Sequence, residues 1–349
     1  MSDFLLSSLL RDWYRVHKRA LPWRKTRNPY HIWISEIILQ QTRVQQGLDY
    51  YNRFMERFPN VNSLAEASGD EVLKYWQGLG YYSRARNLHT AAKQIMEEFD
   101  GVFPQDYPAI LSLKGVGEYT AAAIASFAYD LPYAVLDGNV YRVLSRLFAL
   151  DTPIDTGKGK KEFTELANLL LDPQHAATHN QAMMELGALQ CVPVSPDCTQ
   201  CPLQEHCLAF ATQSVNRYPV KQGKTKVRDR WFNYFYIEVG EDTFLAQRGE
   251  KDIWAGLYEF PLIETESALS LDRLMETEAF RQLFGDTPME VDMLMQRKHI
   301  LSHQRIHTTF YRIRMPHAAM LGKFYQAIPR KELDQYPVSR LTHICIEQL

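Results

Sequence analysis

Up to about residue 213, apolar positions recur every three to four residues, the period of helices with one buried face. The pattern predicts helices over 4–14, 32–41, 70–77, 85–99, 120–129, 140–149, 161–171 and 181–189. Gly and Pro punctuate between them, at Asn28-Pro29, Gly78-Leu79-Gly80, Gly115-Val116-Gly117 and Asp172-Pro173. Beyond this region the period changes. Residues 214–230 (SVNRYPVKQGKTKVRDR) are polar and basic with little to bury, and read as a linker. Residues 231–239 (WFNYFYIEV) are aromatic and β-branched and read as a strand, with 243–247 as its hairpin partner across Gly240-Glu241-Asp242. Residues 308–314 alternate like another strand, and 271–284 allow a helix. The chain therefore divides into an all-α domain over 1–213, a linker over 214–230, and a mixed α/β domain over 231–349.

Composition adds limits. With 349 residues, 46% hydrophobic and 23% charged, the chain has enough apolar material for one large or two ordinary cores, and disorder is not expected. The net charge is −2, which by itself does not mark a nucleic-acid binder. The charge is uneven: residues 1–230 carry 26 Lys+Arg against 24 Asp+Glu, and residues 231–349 carry 13 against 17. The asymmetry points to a polyanion surface in the first part, with ordinary variation between domains the alternative. The N-terminal stretch lacks a basic leader, its apolar run is broken by Asp3, Arg11 and Asp12, and no charge-free apolar stretch is long enough to span a membrane. A soluble intracellular protein is expected.

Four of the five cysteines are clustered, as Cys191-x6-Cys198-x2-Cys201-x5-Cys207. In a non-secreted chain, thiols this close favour a metal centre over disulfides. Structural zinc usually shows two close pairs, and only one pair is close here, so the spacing favours a [4Fe–4S] cluster, with zinc the alternative. Its expected role is to hold a loop in shape.

Residues 111–125 (LSLKGVGEYTAAAIA) run from an apolar helix end through Lys114-Gly115-Val116-Gly117 into a new helix. Glycines permit a tight turn, and the free N–H groups at the next helix start can receive a phosphate oxygen. This is a helix-hairpin-helix pattern; an ordinary glycine-capped turn is the alternative. Glu36 is a lone acid in an apolar helix (IWISEIILQQT). Buried there, it would stay protonated and suit a general acid; on the solvent face it would have no role. Asp137 precedes the helix over 140–149, where it is either an N-cap or a fixed negative charge beside a developing cation.

These pieces occur in one order: the helix with Glu36, LQQT, GLGYYSRARNL, LKGVGEYTAAAI, LDGNVYRVLSR, QAMMELGALQC, then the four cysteines. In that order they closely resemble the MutY-type adenine DNA glycosylases of the helix-hairpin-helix superfamily, over nearly all of residues 1–213. The likeness continues more loosely through IWAGLYEFP and Leu301-Ser302-His303. It implies a multidomain α plus α/β fold: an all-α helix-hairpin-helix domain with a [4Fe–4S] loop, followed by a Nudix-like α/β domain that reads 8-oxoguanine. It further implies that Glu36 protonates the leaving adenine, that Asp137 stabilises the oxocarbenium-like sugar, and that Tyr119 and Asn139 support them. Arg19, Trp23 and Glu185 would line the adenine pocket. Gln41, Thr42, Leu79 and Tyr81 would work at the lesion, Tyr81 by inserting into the base stack, with Lys114, Gly115, Val116 and Gly117 on the DNA backbone and Ser302 and His303 at the 8-oxoguanine. The implied partner is duplex DNA with adenine opposite 8-oxoguanine or guanine. The implied setting is a monomeric, cytoplasmic, nucleoid-associated enzyme of bacterial type, with repair or replication proteins as further partners.

The chain departs from the resemblance in places. Leu301 stands where family members commonly have Phe before Ser-His. The second domain lacks the Glu-rich box of Nudix hydrolases, so pyrophosphate hydrolysis is not expected there. Tyr119 stands where the related glycosylase/lyases carry Lys, and without that amine there is no Schiff-base nucleophile, so base release without strand cleavage is expected. Two other readings compete: a thymine-mismatch or oxidised-pyrimidine glycosylase, and a non-catalytic iron–sulfur DNA-binding protein.

Overall fold

The computed structural model describes residues 3–223, 226–317, 321 and 325–349. The chain forms two units, Met1–Glu66 with Asn87–Gly223, and Ala67–Arg86 with Lys224–Leu349. Among the described residues the first unit has no strand. Its helices begin with α1 (Asp3–His17), α2 (Pro29–Leu39), α3 (Val44–Arg57) and α4 (Val61–Glu66). Helix α5 (Gly69–Trp76) belongs to the second unit, and α6 (Ser83–Glu98) enters the first at Asn87. Then follow α7 (Tyr107–Ser112), α8 (Glu118–Tyr129), α9 (Gly138–Leu147), α10 (Gly157–Leu170), α11 (Ala176–Leu189) and the short α12 (Leu208–Ala211).

Two of these helices are buried nearly all round, and they place the site. In α2, Pro29 sits in the first turn and the Asn28 side chain accepts from Tyr30 N at 2.9 Å, which fixes the start. From Ile32 to Ile38 every residue of α2 is buried, Ser35 and Glu36 included. Helix α8 is likewise buried from Thr120 to Ala128 and packs on α2. A helix apolar on all sides belongs inside a core, so any polar group it carries is forced out of water. Helix α9 lies against α11, and α11 also packs on α1.

All eight helices expected from periodicity are present, with ends shifted by up to five residues. Helices α3, α4 and α12 were not anticipated, and the helix end read before Lys114 is that of α7. The buried face of α3 consists of Gly47, Tyr51 and Phe54, which carries little apolar signal. Gly47 is there for contact: a Cβ on it would come within 2.8 Å of Leu39 Cδ2. In the stretch 214–230, Lys224 and Thr225 lie outside the described residues. Residues Val215–Arg217 form a 3-10 turn, Ile154 N donates to Val220 O, and Asp155 accepts from Gln222 N and Gly223 N. The polar stretch is thus tied to the helical unit through its backbone, which composition does not register.

Among the described residues the second unit holds two sheets. One has the order β4-β1-β6-β5, built from β1 (Arg228–Glu238), β4 (Leu262–Thr265), β5 (Glu290–Ile300) and β6 (Gln304–Arg314). The other, β3-β2-β7, is built from β2 (Asp242–Gln247), β3 (Tyr258–Glu259) and β7 (Gln326–Pro329). The hairpin expected between β1 and β2 is therefore corrected. Among the described residues only the bridge Val239↔Asp242 pairs them: β6 runs in parallel along one edge of β1, β4 takes Trp231–Tyr234 on the other, and β2 pairs instead with β3 and β7. The helix expected over 271–284 is two, α13 (Leu271–Met275) and α14 (Glu278–Phe284), because the Thr277 hydroxyl caps a new start by accepting from Phe280 N at 3.2 Å. Helix α15 (Arg340–Ile346) closes the chain. Among the described residues no helix is long and apolar enough to cross a membrane.

Candidate active site and nucleic-acid interface

A cavity of about 200 Å³ opens in the helical unit. Glu36 from α2, Tyr119 from the first turn of α8, Asp137 and Asn139 from the start of α9, and Glu185 from α11 all line it, with Arg19, Trp23 and Thr42. Two acids 101 positions apart in sequence thus share one cleft.

Glu36 is only 5% exposed. Burial pushes its carboxyl up to about 7; the Asp137 charge adds to this, while a hydrogen bond from Tyr119 and the charge of Arg24 oppose it. The Tyr119 hydroxyl donates to Glu36 Oε2 at 2.6 Å, and its own ionisation is pushed well up by burial and by Glu36 and Asp137. Tyr119 therefore remains a donor at neutral pH and orients the acid without taking its proton.

Of the two roles the sequence left open for Asp137, the structure shows the cap, and it places the same carboxyl on the cavity wall. Asp137 caps α9, with Oδ1 accepting from Val140 N at 2.8 Å. Its Oδ2 accepts from Asn139 Nδ2 at 2.7 Å. Burial raises its pKa, while the hydrogen bonds from Val140 N and Asn139 and the charge of Arg142 pull it back. Asn139 is held in turn: Arg142 Nη2 donates to its Oδ1 at 2.9 Å, which fixes the amide orientation that serves Asp137. Gly187 on α11 lets Asn139 sit close, since a Cβ there would lie 2.6 Å from Asn139 Cβ. Arg142 also donates to Gly187 O and, through Nε, to Cys191 O at 2.7 Å, so the first cysteine and the acid share one guanidinium.

Glu185 is wholly buried and is met by two arginines. Arg24 donates to both of its oxygens at 2.8 Å, and Arg19 donates through its backbone N and its side chain at 2.5–2.9 Å. Burial works against the charge, but the Arg24 and Arg19 hydrogen bonds outweigh it and hold the carboxyl at about 2. One wall of the cavity thus carries a fixed anion within a paired network, and another carries an acid that burial keeps protonated up to about pH 7. Sequence reasoning named Arg19 and missed Arg24. Its partner lies 161 residues away, and no local pattern marks it.

The hairpin between α7 and α8 is formed as expected. Gly115 has φ +76, a left-handed conformation, and a Cβ there would lie 2.5 Å from Asn87 Cβ. Val116 N donates to Leu113 O at 3.0 Å, closing the turn, and Lys114 N is taken by Gln94 Oε1. Gly117 caps α8 without a side-chain partner, and Lys114 and Gly117 are exposed. The start of α8 therefore offers backbone N–H groups to an anion.

Gln41 is exposed at φ +56 and is not part of the cavity lining. In the second unit, Tyr81, Leu301, Ser302 and His303 line a separate cavity of about 410 Å³, with Trp254 and His299. Tyr81 is 47% exposed at φ +49, so an aromatic ring is presented to solvent rather than packed. Leu79 is buried and does not line this cavity. Leu301 N donates to Gln304 O at 2.8 Å, making a tight turn between β5 and β6 with Ser302 and His303 at its tip; Ser302 Oγ and His303 Nδ1 lie 3.2 Å apart.

Cys191, Cys201 and Cys207 lie half-buried against the core of the helical unit. Burial raises the Cys198, Cys201 and Cys207 thiols, and the field of neighbouring cysteines raises each further. Arg146 Nη1 lies 3.4 Å from Cys191 Sγ and donates to Val192 O, while Nη2 donates to Pro193 O, pinning the loop. Among the described residues no three His, Cys, Asp or Glu are arranged to hold a metal ion. The donor set still fits a polynuclear cluster: four thiols face one another electrostatically, with a guanidinium beside them to offset thiolate charge.

A buried acid and a fixed anion in one helical cleft, beside a glycine hairpin that opens a helix, are the arrangement of a helix-hairpin-helix protein. Residues 34–169 match the family described as HhH-GPD superfamily base excision DNA repair protein, and residues 233–348 match the NUDIX domain. A solved thermostable thymine-DNA glycosylase is 28% identical with a TM-score of 0.56, covering 60% of this chain and 97% of its own. The adenine DNA glycosylase of Buchnera aphidicola subsp. Schizaphis graminum (strain Sg) is 35% identical over 267 residues, 76% of this chain and 77% of the relative. That of Buchnera aphidicola subsp. Baizongia pistaciae (strain Bp) is 34% identical over 306 residues, 87% of this chain and 84% of the relative. The chain belongs to the adenine DNA glycosylase family. Residues 233–348 of the second unit form its Nudix-like domain, while Ala67–Arg86 of that unit fall within the helix-hairpin-helix match.

Proposed function

We propose that this enzyme hydrolyses the N-glycosidic bond of adenine opposite 8-oxoguanine or guanine in duplex DNA, and does not cut the strand. The observation that carries the reading is the pairing of Glu36, kept protonated by burial near neutral pH, with Asp137, whose anion is sustained by Val140 N, Asn139 and Arg142. An adenine within a duplex is out of reach and must be turned out of the stack. In the cavity, Glu36 gives its proton to the base, so that adenine departs neutral as the C1′–N9 bond breaks. Positive charge builds on the sugar, and the Asp137 carboxylate stabilises it most at the transition state. Water then supplies the hydroxyl at C1′, and its proton restores the acid. Arg19, Trp23 and the Glu185 network shape the base pocket. Thr42 at the pocket wall and Gln41, Leu79 and Tyr81 outside it act at the lesion, and Lys114 through Gly117 take a phosphate. Ser302 and His303, with Leu301 in place of Phe, read 8-oxoguanine.

The test is base release from duplexes with A opposite 8-oxoguanine, A opposite G, and T opposite G, each followed by borohydride trapping. Adenine release from the first two without a trapped covalent complex is expected. Faster thymine release, or efficient trapping, would overturn the reading.

We also propose that Cys191, Cys198, Cys201 and Cys207 hold a [4Fe–4S] cluster, which when bound cross-links the loop that follows α11. No step of base release runs through it. Its structural reach is visible in Arg142, which joins Cys191 O to Asn139. Metal analysis of the purified chain should find about four irons per molecule. One zinc and no iron would refute the assignment.

A further inference from the structure

Trp231, His307 and Lys298, on one face of the sheet containing β5 and β6, lie outside the cavity lined by Ser302 and His303, with Ile300 at the border between them. Strand pairing places Thr265, Trp231, His307 and Lys298 in one row across β4, β1, β6 and β5. The row nearer the hairpin tip is Asp229, Arg305 and Ile300. Residues two apart on a strand share a face, so both rows lie on the same side of the sheet. The Trp231 and His307 rings are stacked, with centroids 5.0 Å apart and planes 12° from parallel. Trp231, His307 and Lys298 border a groove of about 330 Å³. Ile300 is 70% exposed beside Arg305.

The charge is distinctive. Residues 231–349 are acidic overall, with 13 Lys+Arg against 17 Asp+Glu, yet 296–307 (QRKHILSHQRIH) hold Arg297, Lys298, Arg305 and three histidines without one acid. The acid in these two rows is Asp229. His307 Nε2 lies 2.8 Å from Asp229 Oδ1, and Arg305 lies 3.9 Å from Oδ2. The His307 hydrogen bond, then the charges of Arg305 and Lys298, hold the Asp229 carboxyl below its usual range, so cations outnumber it on this face.

We propose that this face is a further DNA-contacting surface, in which Lys298 and Arg305 grip the phosphate backbone of the duplex arm beside the lesion while the Trp231–His307 stack packs against sugar. The proposal rests on the enzyme acting on duplex DNA. Lys298 and Arg305 lie two to five residues from Ser302 and His303, about 7–17 Å at the rise of a strand. That places the grip within a few base pairs of the base being read. Phosphate contacts of this kind position a protein without reading sequence. The alternative is that these cations merely protect β5, an edge strand, from pairing with other chains.

The full-length protein and its Lys298→Ala/Arg305→Ala variant would be titrated with undamaged duplex and with duplex holding A opposite 8-oxoguanine, over a range of salt. Each lost phosphate contact should make the log–log salt dependence shallower by about 0.9, so the double variant should fall short of wild type by about 1.8. The loss of affinity should be equal on both duplexes, and Lys298→Arg/Arg305→Lys should keep the wild-type slope. An unchanged slope in a double variant that melts like wild type would overturn the proposal, as would a loss confined to the lesion duplex. Failure of the 8-oxoguanine reading shows differently, as a wild type that binds both duplexes alike while its salt slope still responds to the variant.

Discussion

Replacing Asp137 with Asn should slow adenine release about 10²–10³-fold, the usual cost of removing one fixed electrostatic group from a site where charge develops. The fold should survive, because Asn is as good an N-cap as Asp, and its side-chain oxygen can still accept from Val140 N. The new amide would then face Asn139 Nδ2, which now donates to Asp137 Oδ2 at 2.7 Å. Two donors would be opposed, and Asn139 cannot turn to relieve them while Arg142 Nη2 holds its Oδ1. The variant therefore loses the anion and part of the alignment together. Single-turnover release with saturating enzyme checks this, beside a thermal melt to show the fold intact. Release within threefold of wild type would remove Asp137 from the chemistry and leave it as a cap alone.

The Asp137 case shows how far the sequence reaches. An acid before a helix is legible as a cap from local pattern, and the cap is real. What the pattern cannot show is burial of that same carboxylate in a cleft with α2. Glu36 is the reverse. From sequence alone an acid in a helix usually faces water, but α2 is covered on every side, so the outcome was set by α8 and the rest of the core. Order along the chain carried more than periodicity did, because the motif string fixed both acids, the hairpin glycines and Glu185 together. It gave no hold on Arg24, whose meaning comes only from Glu185 across the pocket. In the second unit β1, β2 and β6 were legible as strands, whereas β3, β4, β5, β7 and the pairing were not. A short turn between β1 and β2 suggests a hairpin, but both edges of β1 are claimed by strands farther along the chain, and β2 joins β3 and β7.

Glu36→Gln should lower adenine release about 10²–10⁴-fold, since an amide of the same shape has no proton to give. Tyr119 can still donate to it, so geometry is conserved and the loss isolates the proton. Wild type and variant should also differ in pH dependence. With the Glu36 carboxyl at about 7, the protonated fraction falls as pH rises through neutrality, and wild-type release should fall with it. The variant's residual rate should be flat over that range. Wild-type stability should fall over the same range. A carboxyl that titrates near 7 when folded, against about 4.5 when unfolded, favours the folded state most below pH 4.5 and withdraws that support as pH climbs to about 7. Above pH 7 the folded enzyme holds an unwelcome buried charge, at a cost on the order of 3 kcal/mol for a shift of about 2.5 units. Gln carries no such charge, so Glu36→Gln should melt at a higher temperature than wild type at pH 8, with the difference shrinking towards pH 5. Release rates that stay level from pH 6 to 8.5 in wild type, or a variant less stable than wild type at pH 8, would show that Glu36 is not the proton donor held neutral by its helix.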